Sequence, residues 1–218
     1  MSQDAVVLHC QTVKSLPWDS IASDWPAVEG CLDSVPSLAT LHDAYVERFD
    51  TFRDPEHAAR VRTAIQVAAE RAGAGEALSW EGLCSLQCVV LGCESVGFRE
   101  GPAYARARLE TYGSHPRLEE ALTKKLVKNE GDALHPLLKA CRVYLDVRFF
   151  HPFAEANGAA ARLAFQWLAE REGIRLPELT PIFRLPILPG NAEEYQAFFD
   201  SAASLLARAC EEPPASAE

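Results

Sequence analysis

The chain has 218 residues, of which 48% are hydrophobic, so it is long enough for one domain with a sizeable core. Its formal net charge of −10 argues against a nucleic-acid-binding protein, because such proteins present clustered basic residues to phosphates. No apolar run approaches the roughly 20 residues that cross a bilayer, and the first residues lack the basic start of a secretory signal. These properties predict a cytoplasmic protein that binds neither nucleic acid nor a membrane.

Apolar residues recur every three or four positions over most of the chain, which is the pattern of amphipathic helices. Proline and glycine divide this pattern into separate helices, and Ser79 and Asn191 stand where side chains of their type cap a helix start. The strongly apolar segment from Ala133 to Val147 predicts a central buried helix. The predicted helices cover residues 36–49, 56–72, 79–93, 116–128, 133–147, 159–170 and a last segment from residue 191 through Leu205.

Two segments depart from the helical pattern. From Gly97 to Ser114 the apolar signal weakens, and Pro102 and Gly113 bracket a short alternation, which predicts an exposed hairpin. An ordinary loop is the alternative there. Residues 176–190 contain four prolines, so we expect an extended loop.

Residues 151–162 place an imidazole, a carboxylate, a carboxamide, a glycine and a guanidinium on one turn and the helix that follows. His151 precedes a proline, which disfavours helical backbone, so a helix ending near Phe150 leaves the imidazole on a turn. An imidazole titrates near neutral pH and suits a general base. Glu155 offers a hard oxygen ligand of the kind that Mg²⁺ takes when phosphates and water complete its shell.

Asn157 and Gly158 stand where the next helix begins, and the free N–H groups at a helix start attract anions. Arg162 lies about one turn further along and can form a forked pair with a phosphate or a carboxylate. Each residue alone has an ordinary structural explanation: His151 as a turn residue, Asn157 as an N-cap, Arg162 on a solvated face. Their order together favours a site that handles phosphate esters.

This order resembles the signature of the Fic/Doc family, H-P-F-x-[D/E]-G-N-G-R-x-x-R. Two positions depart from it. Ala156 stands where most members carry glycine, although the Doc branch also has alanine, and Ala159 stands where the family has arginine or, in Doc, lysine. The residues that match are His151, Pro152, Phe153, Glu155, Asn157, Gly158 and Arg162.

The resemblance extends outward from the motif, over about residues 78–208. Residues 78–83 resemble the start of the first core helix, and residues 97–105 resemble the start of the flap that aligns the substrate. The resemblance implies a mainly α fold, a Fic-like helical bundle with a small β-hairpin flap. The domains it implies are an N-terminal helical extension (1–77), a Fic-like core (78–210) and a disordered tail (211–218).

The resemblance also implies a transferase that moves AMP from ATP onto a hydroxyl of a protein or a small molecule. In that scheme His151 is the catalytic base and Glu155 holds Mg²⁺. The phosphates of ATP lie on the backbone of Ala156 and Gly158 with Asn157, and Arg162 binds the terminal phosphate.

The alanine at position 159 leaves other donors open. A hydrogen bond to a charged group is worth about 1.5–3 kcal/mol, so losing the usual cation weakens triphosphate binding. A donor with fewer phosphates, such as a UDP-sugar or CDP-choline, is one alternative, and transfer of the terminal phosphate is another. A catalytically inactive binding protein with the same fold is the third.

Many relatives carry a self-inhibitory helix, [S/T]-x-x-x-E-[G/N], whose glutamate pairs with the last arginine of the motif. The Glu-Gly pairs that begin at Glu29, Glu81 and Glu130 lack serine or threonine four residues earlier. A clamp on this arginine would therefore come from an inhibitory partner chain or from a degenerate segment, with Glu29 as the candidate in this chain.

Overall fold

A computed structural model describes residues 35–105 and 110–211, together with Thr12 and Leu16. Within these residues the chain is mainly α, as the sequence predicts, with eight helices and one two-stranded sheet. The elements in chain order are α1 (Leu38–Phe49), α2 (Pro55–Gly73), α3 (Trp80–Leu91), β1 (Ala103–Ala105), β2 (Glu110–Tyr112), α4 (Leu118–Gly131), α5 (Pro136–Phe150), α6 (Asn157–Arg171), α7 (Thr180–Arg184) and α8 (Ala192–Glu211).

Helices α5 and α6 form the centre of the bundle and make the most extensive contact between any two elements described. Both helices are apolar on nearly every side, which is the composition of a helix surrounded by others. Helices α2 and α3 pack on α6, and α4 packs on α5. The alanines of α6 permit close approach of its neighbours, since Ala160, Ala161 and Ala164 are all at most 1% exposed. This pair holds both ends of the loop that carries residues 151–156.

Polar side chains begin several helices by accepting a hydrogen bond from the first turn. Ser79 accepts from the N–H of Gly82 at 3.1 Å, and Asn191 accepts from the N–H of Glu194 at 3.2 Å, so both predicted caps are confirmed. Helix α5 is shifted three residues from its predicted range, because Pro136 occupies its first turn and His135 caps it through its ring.

Residues 176–190 differ from the predicted extended loop. They contain the one-turn-and-a-half helix α7, in which Pro181 occupies the first turn, where a missing N–H costs no intrahelical hydrogen bond. Ile182 and Phe183 of this helix are buried against the core. Burial of Ile182 and Phe183 stabilises this short helix in a segment whose prolines disfavour helical structure.

The predicted hairpin is confirmed. Strands β1 and β2 pair antiparallel, with Ala103 opposite Tyr112 and Ala105 opposite Glu110. The connecting residues 106–109 lie outside the described part of the chain. We call residues 103–112 the flap.

The described part of the predicted N-terminal extension packs into the main core. Helices α1 and α2 contribute Val46, Val61 and Ile65, each 0% exposed, to the same hydrophobic cluster as α5 and α6. Most of residues 1–34 and the predicted disordered tail beyond residue 211 lie outside the described residues, so the division of the chain stays a prediction. Among the helices described, none has both the length and the apolar composition needed to cross a membrane.

Candidate active site

The loop between α5 and α6 begins and ends on a residue with left-handed backbone. His151 has φ of 46° and closes α5, and Ala156 has φ of 56° and begins α6. Among the residues that the structure describes, these two are the non-glycine residues with positive φ. A left-handed alanine costs about 1 kcal/mol or more, so the surrounding contacts must hold this loop in place.

The imidazole of His151 lies under the flap. Its Nδ1 donates to the carbonyl oxygen of Arg148 at 2.5 Å, and this bond fixes the proton on Nδ1 and leaves Nε2 as the acceptor. The residue is 7% exposed, and this burial, reinforced by the charges of Arg99 and Arg148, lowers the pKa of His151 to about 4. The ring of Tyr112 stacks on the imidazole at 3.4 Å between centroids. Stacking covers the ring face, whereas the lone pair of Nε2 lies in the ring plane.

Arg99 fastens the flap to the loop. Its Nε donates to the carbonyl oxygen of His151 at 2.5 Å, while its two terminal nitrogens donate to the carbonyl oxygens of Gly101 and Gly113. The backbone N–H of Arg99 also donates to the carbonyl oxygen of Pro152 at 2.8 Å. Arginine is mostly an exposed residue, but Arg99 is only 8% exposed here. The other two arginines of the hairpin, at positions 106 and 108, lie outside the described residues.

Asn157 braces the turn from within. Its side-chain oxygen accepts from the N–H of Phe153 at 2.9 Å, and its Nδ2 donates to the carbonyl oxygen of Phe153 at 2.8 Å. It is the first residue of α6, and Ala156 rather than Asn157 is the capping residue. No side chain among the described residues caps α6, which leaves the N–H groups of its first turn to another acceptor. N–H groups at a helix start, together with the helix dipole, favour a negatively charged ligand.

Glu155 lies beside these N–H groups with its side chain exposed. Its carbonyl oxygen accepts from Nε2 of the fully buried Gln87 at 2.8 Å, so its backbone is fixed while its carboxylate is free to bind a ligand. No group of three or more metal-binding side chains occurs among the described residues. One carboxylate suits Mg²⁺, which keeps its waters and shares its shell with phosphates rather than entering an all-protein cage.

Arg162 is held from three sides. Its Nη2 pairs with Asp50 at 2.7 Å, its Nε donates to Nε2 of His42 at 3.3 Å, and its guanidinium lies 5.0 Å from the ring centre of Tyr45. Its Nη1 faces Gly158, since a methyl group built on that glycine would lie 3.8 Å from Nη1. Because Gly158 has no side chain, the space above its Cα is open and borders Nη1 of Arg162.

A cavity of about 260 Å³ joins the start of α6 to the turn between α1 and α2. Ala156, Gly158, Ala159 and Arg162 line one side of it. The other side is formed by residues of that turn and the start of α2: Asp50, Arg53, Asp54 and His57. The cavity is open to solvent, and Ala156 and Gly158 at the start of α6 line it.

The structure brings together the residues that the motif selects. His151, Glu155, Ala156, Asn157 and Gly158 lie on one loop and helix start, and Arg162 faces the same cavity. The roles predicted for them stay predictions.

The sequence gives no indication of four residues at this site: His42, Asp50, Gln87 and Tyr112. Asp50 pairs with Arg162 although it is an aspartate that ends α1, outside the glutamate pattern of a self-inhibitory helix. The predicted candidate for that contact, Glu29, lies outside the described residues.

A family model, described as Fic/DOC family, matches residues 34–169. The chain belongs to the Fic/DOC family. The match includes α1 and α2 as well as the motif, so the Fic/DOC region extends further towards the N-terminus than the motif resemblance indicates. A search of curated proteins found no match.

Solved structures of Fic domains share the fold. The structure of IbpAFic2 is 17% identical, with a TM-score of 0.59, and the match covers 95% of this chain and 70% of that one. IbpAFic2 in complex with adenylylated Cdc42 is 15% identical, with a TM-score of 0.58, over 90% of this chain and 69% of that one. A Fic domain containing signaling protein from Bacteroides thetaiotaomicron is 14% identical, with a TM-score of 0.54, over 95% of this chain and 94% of that one. The Fic-like bundle with a hairpin flap is thus confirmed.

Proposed function

We propose that this protein transfers AMP, or another phosphate-containing group, from a nucleotide onto a hydroxyl, with His151 as the general base. The observation that carries the proposal is the juxtaposition of an imidazole with a fixed tautomer and a helix start that exposes uncapped N–H groups. One group accepts a proton and the other binds phosphate, and both lie on a six-residue loop anchored at its two ends.

The acceptor hydroxyl gives its proton to Nε2 of His151 while its oxygen bonds to the α-phosphorus of ATP. The bond from that phosphorus to the leaving pyrophosphate breaks, so AMP ends on the hydroxyl and the imidazolium carries the proton. The carbonyl oxygen of Arg148 still accepts from Nδ1 and stabilises that cation. Because the pKa of His151 is lowered to about 4, the base is neutral and ready at physiological pH.

The phosphates would lie on the N–H groups of Ala156 to Gly158, with Arg162 facing the terminal phosphate through Nη1. Asn157 keeps these N–H groups aligned by fixing the backbone of Phe153. Glu155 would hold Mg²⁺, which supplies positive charge to the phosphates when bound. Preorganised donors of this kind supply most of the catalysis in phosphoryl transfer, which needs little covalent help from the protein.

A protein hydroxyl is the acceptor that we infer. Two structural relatives were solved with Cdc42, one in complex with the adenylylated protein and one covalently tethered to it. In this chain the flap lies beside His151, since Tyr112 stacks on the imidazole, and an extended peptide that pairs with a strand would bring its hydroxyl to this base.

A transferase with a different donor is the second candidate, and Ala159 favours it. The first turn of α6 carries no basic residue, and Ala159 lines the cavity where the family usually has a cation. Arg53 lines the cavity and is a cation of this site. Its guanidinium lies 5.5 Å from the ring centre of Phe52. A UDP-sugar or CDP-choline places less negative charge here than ATP does.

Intact-mass spectrometry of candidate acceptor proteins, incubated with Mg²⁺ and in turn ATP, a UDP-sugar or CDP-choline, tests the proposal. We expect an added mass equal to AMP with ATP. His151→Ala should abolish the transfer while calorimetry still detects nucleotide binding, and His115→Ala, outside the loop, should retain the transfer. An added sugar or phosphocholine would select the second candidate. No added mass with any donor would contradict transferase activity.

A further inference from the structure

A row of buried and half-buried polar side chains joins α6 to α1. Arg162, Gln166 and Glu170 follow one another at four-residue intervals on α6 and therefore face the same direction. Their partners on α1 are the side chain of His42 and the backbone N–H of Ala39, and Asp50 follows at the end of that helix. We call this set the α1–α6 row.

The donors and acceptors in the α1–α6 row are fixed by chemistry. Arginine can only donate, so Nε2 of His42 accepts from Nε of Arg162 at 3.3 Å. The proton of His42 is then on Nδ1, which donates to Oε1 of Gln166 at 2.7 Å. The Nε2 of Gln166 donates onward to the carbonyl oxygen of Ile65 and to Glu170, and Oε1 of Glu170 accepts from the N–H of Ala39 at 2.7 Å. His42 therefore stays neutral and is hydrogen-bonded at both nitrogens.

The two hydrogen-bond partners of Arg162, His42 and Asp50, differ in their exposure to solvent. His42 is 0% exposed, whereas the side chain of Asp50 is 19% exposed and lines the cavity. An anion that enters the cavity meets Asp50 and Nη1 of Arg162, but it does not meet His42. An anion in the cavity therefore competes with Asp50 for the guanidinium of Arg162. The hydrogen bond from Nε of Arg162 to His42 is shielded from solvent.

We propose that His42 is a positioning residue that holds the guanidinium of Arg162 by its Nε and thereby presents Nη1 to the phosphates of the donor. The inference rests on the proposed function, because it assigns Arg162 a phosphate to bind. It makes α1 a part of the donor site, although α1 contributes no residue of the motif. A buried core histidine of purely structural importance is the competing explanation, and His42 does pack 5.2 Å from Phe183 between ring centres.

A double-mutant cycle separates these explanations. His42→Phe keeps an aromatic ring against Phe183 and removes both nitrogens. Calorimetry with ATP and Mg²⁺ should show about tenfold weaker binding for His42→Phe than for the wild-type chain. When His42→Phe is added to Arg162→Ala, the double variant should bind ATP as well as Arg162→Ala alone. His42→Gln, whose side chain carries an acceptor near the position of Nε2, should recover most of the affinity. Equal losses from His42→Phe with and without Arg162 would overturn the proposal.

Val46→Ala is the matched control. Val46 is also fully buried on α1 and has no polar atom in the α1–α6 row, so its loss should lower the melting temperature without changing ATP affinity. An affinity loss in Val46→Ala as large as that in His42→Phe would assign the effect to packing and overturn the proposal.

A measurement on the unmodified chain keeps the inference testable where a variant fails to fold. The Nε–H of Arg162, assigned by its absence in Arg162→Lys, should give a sharp NMR signal at neutral pH that exchanges slowly with solvent. Fast exchange of that proton in the wild-type chain would overturn the proposed contact with His42. A slowly exchanging proton together with no binding of ATP would instead contradict the proposed function, and the role given to His42 would fall with it.

Discussion

At the scale of single residues, the site depends on two backbone positions that an alanine and a histidine adopt at a cost. Ala156, with φ of 56°, takes the conformation that the glycine of most family members reaches without strain. The cost is met by neighbouring hydrogen bonds, since Asn157 holds Phe153 and Gln87 holds the carbonyl oxygen of Glu155. The motif predicted that these side chains lie on one turn and helix start. It gave no indication of Gln87, which lies 68 residues before its partner Glu155.

The pH dependence of transfer should report the burial of His151. Its pKa is lowered to about 4, mainly by burial, so the neutral base persists well below the pH at which an exposed histidine is protonated. We expect kcat/KM to be constant from pH 8 down to about pH 5.5 with respect to this group, and to fall only as the pH approaches 4. Initial rates measured in buffers of constant ionic strength check this, and an acidic limb near pH 6.5 would show that His151 is not buried in the active enzyme.

Restoring a cation at position 159 should strengthen triphosphate binding. Ala159 lines the cavity, so a guanidinium placed there adds a charged donor near the phosphates. Ala159→Arg should bind ATP with Mg²⁺ about tenfold or more tightly, since one charged hydrogen bond is worth about 1.5–3 kcal/mol. Ala159→Met controls for side-chain bulk in calorimetry. Equal affinities of the arginine and methionine variants would place the triphosphate elsewhere.

At the scale of elements, the flap and the motif loop behave as one unit because Arg99 donates to both. The strands alone contribute three residues each, too few to hold a hairpin in water. Tyr112 on His151 and the guanidinium of Arg99 supply the missing attachment. The hairpin was predictable from the weakened apolar pattern, but the burial of Arg99 was not, since an arginine in a short polar segment is more often exposed.

Removing the guanidinium of Arg99 should release the flap. Arg99→Met keeps the packing of the stem and removes the guanidinium that donates to the carbonyl oxygens of four residues, so we expect a loss of about 2–3 kcal/mol in the free energy of unfolding. Amide hydrogen exchange in β1 and β2 should accelerate, and KM for the acceptor protein should rise more than KM for ATP. Arg99→Lys keeps the positive charge but lacks the forked guanidinium, so its exchange rates and unfolding free energy should lie between those of the wild-type chain and Arg99→Met. Unchanged exchange in both strands of the methionine variant would show that another contact holds the flap.

At the scale of the whole molecule, the donor site is assembled from segments far apart in the chain. Arg162 pairs with Asp50, 112 residues earlier, and with His42, 120 residues earlier. The bundle makes this possible because α1 and α2 pack on the same central helix that starts at Asn157. Helix existence followed from apolar spacing, and α6 was foreseen because its pattern is apolar on nearly every side.

The tertiary partners of the motif were not predictable from one sequence. Asp50 and His42 sit on an ordinary amphipathic helix, and nothing in their spacing indicates that they reach Arg162 rather than solvent. Helix α7 escaped for a related reason: burial of Ile182 and Phe183 outweighed the local preference of a proline-rich segment. In both cases long-range packing, rather than local propensity, determined the outcome.

A crystal structure with a non-hydrolysable ATP analogue and Mg²⁺ would show whether the start of α6 binds the donor phosphates beside His151. We expect phosphate oxygens within hydrogen-bond distance of the N–H groups of residues 156–158, the metal on Glu155, and the α-phosphate facing the edge of His151. A nucleotide bound away from the start of α6, or with its α-phosphate out of reach of Nε2 of His151, would contradict it.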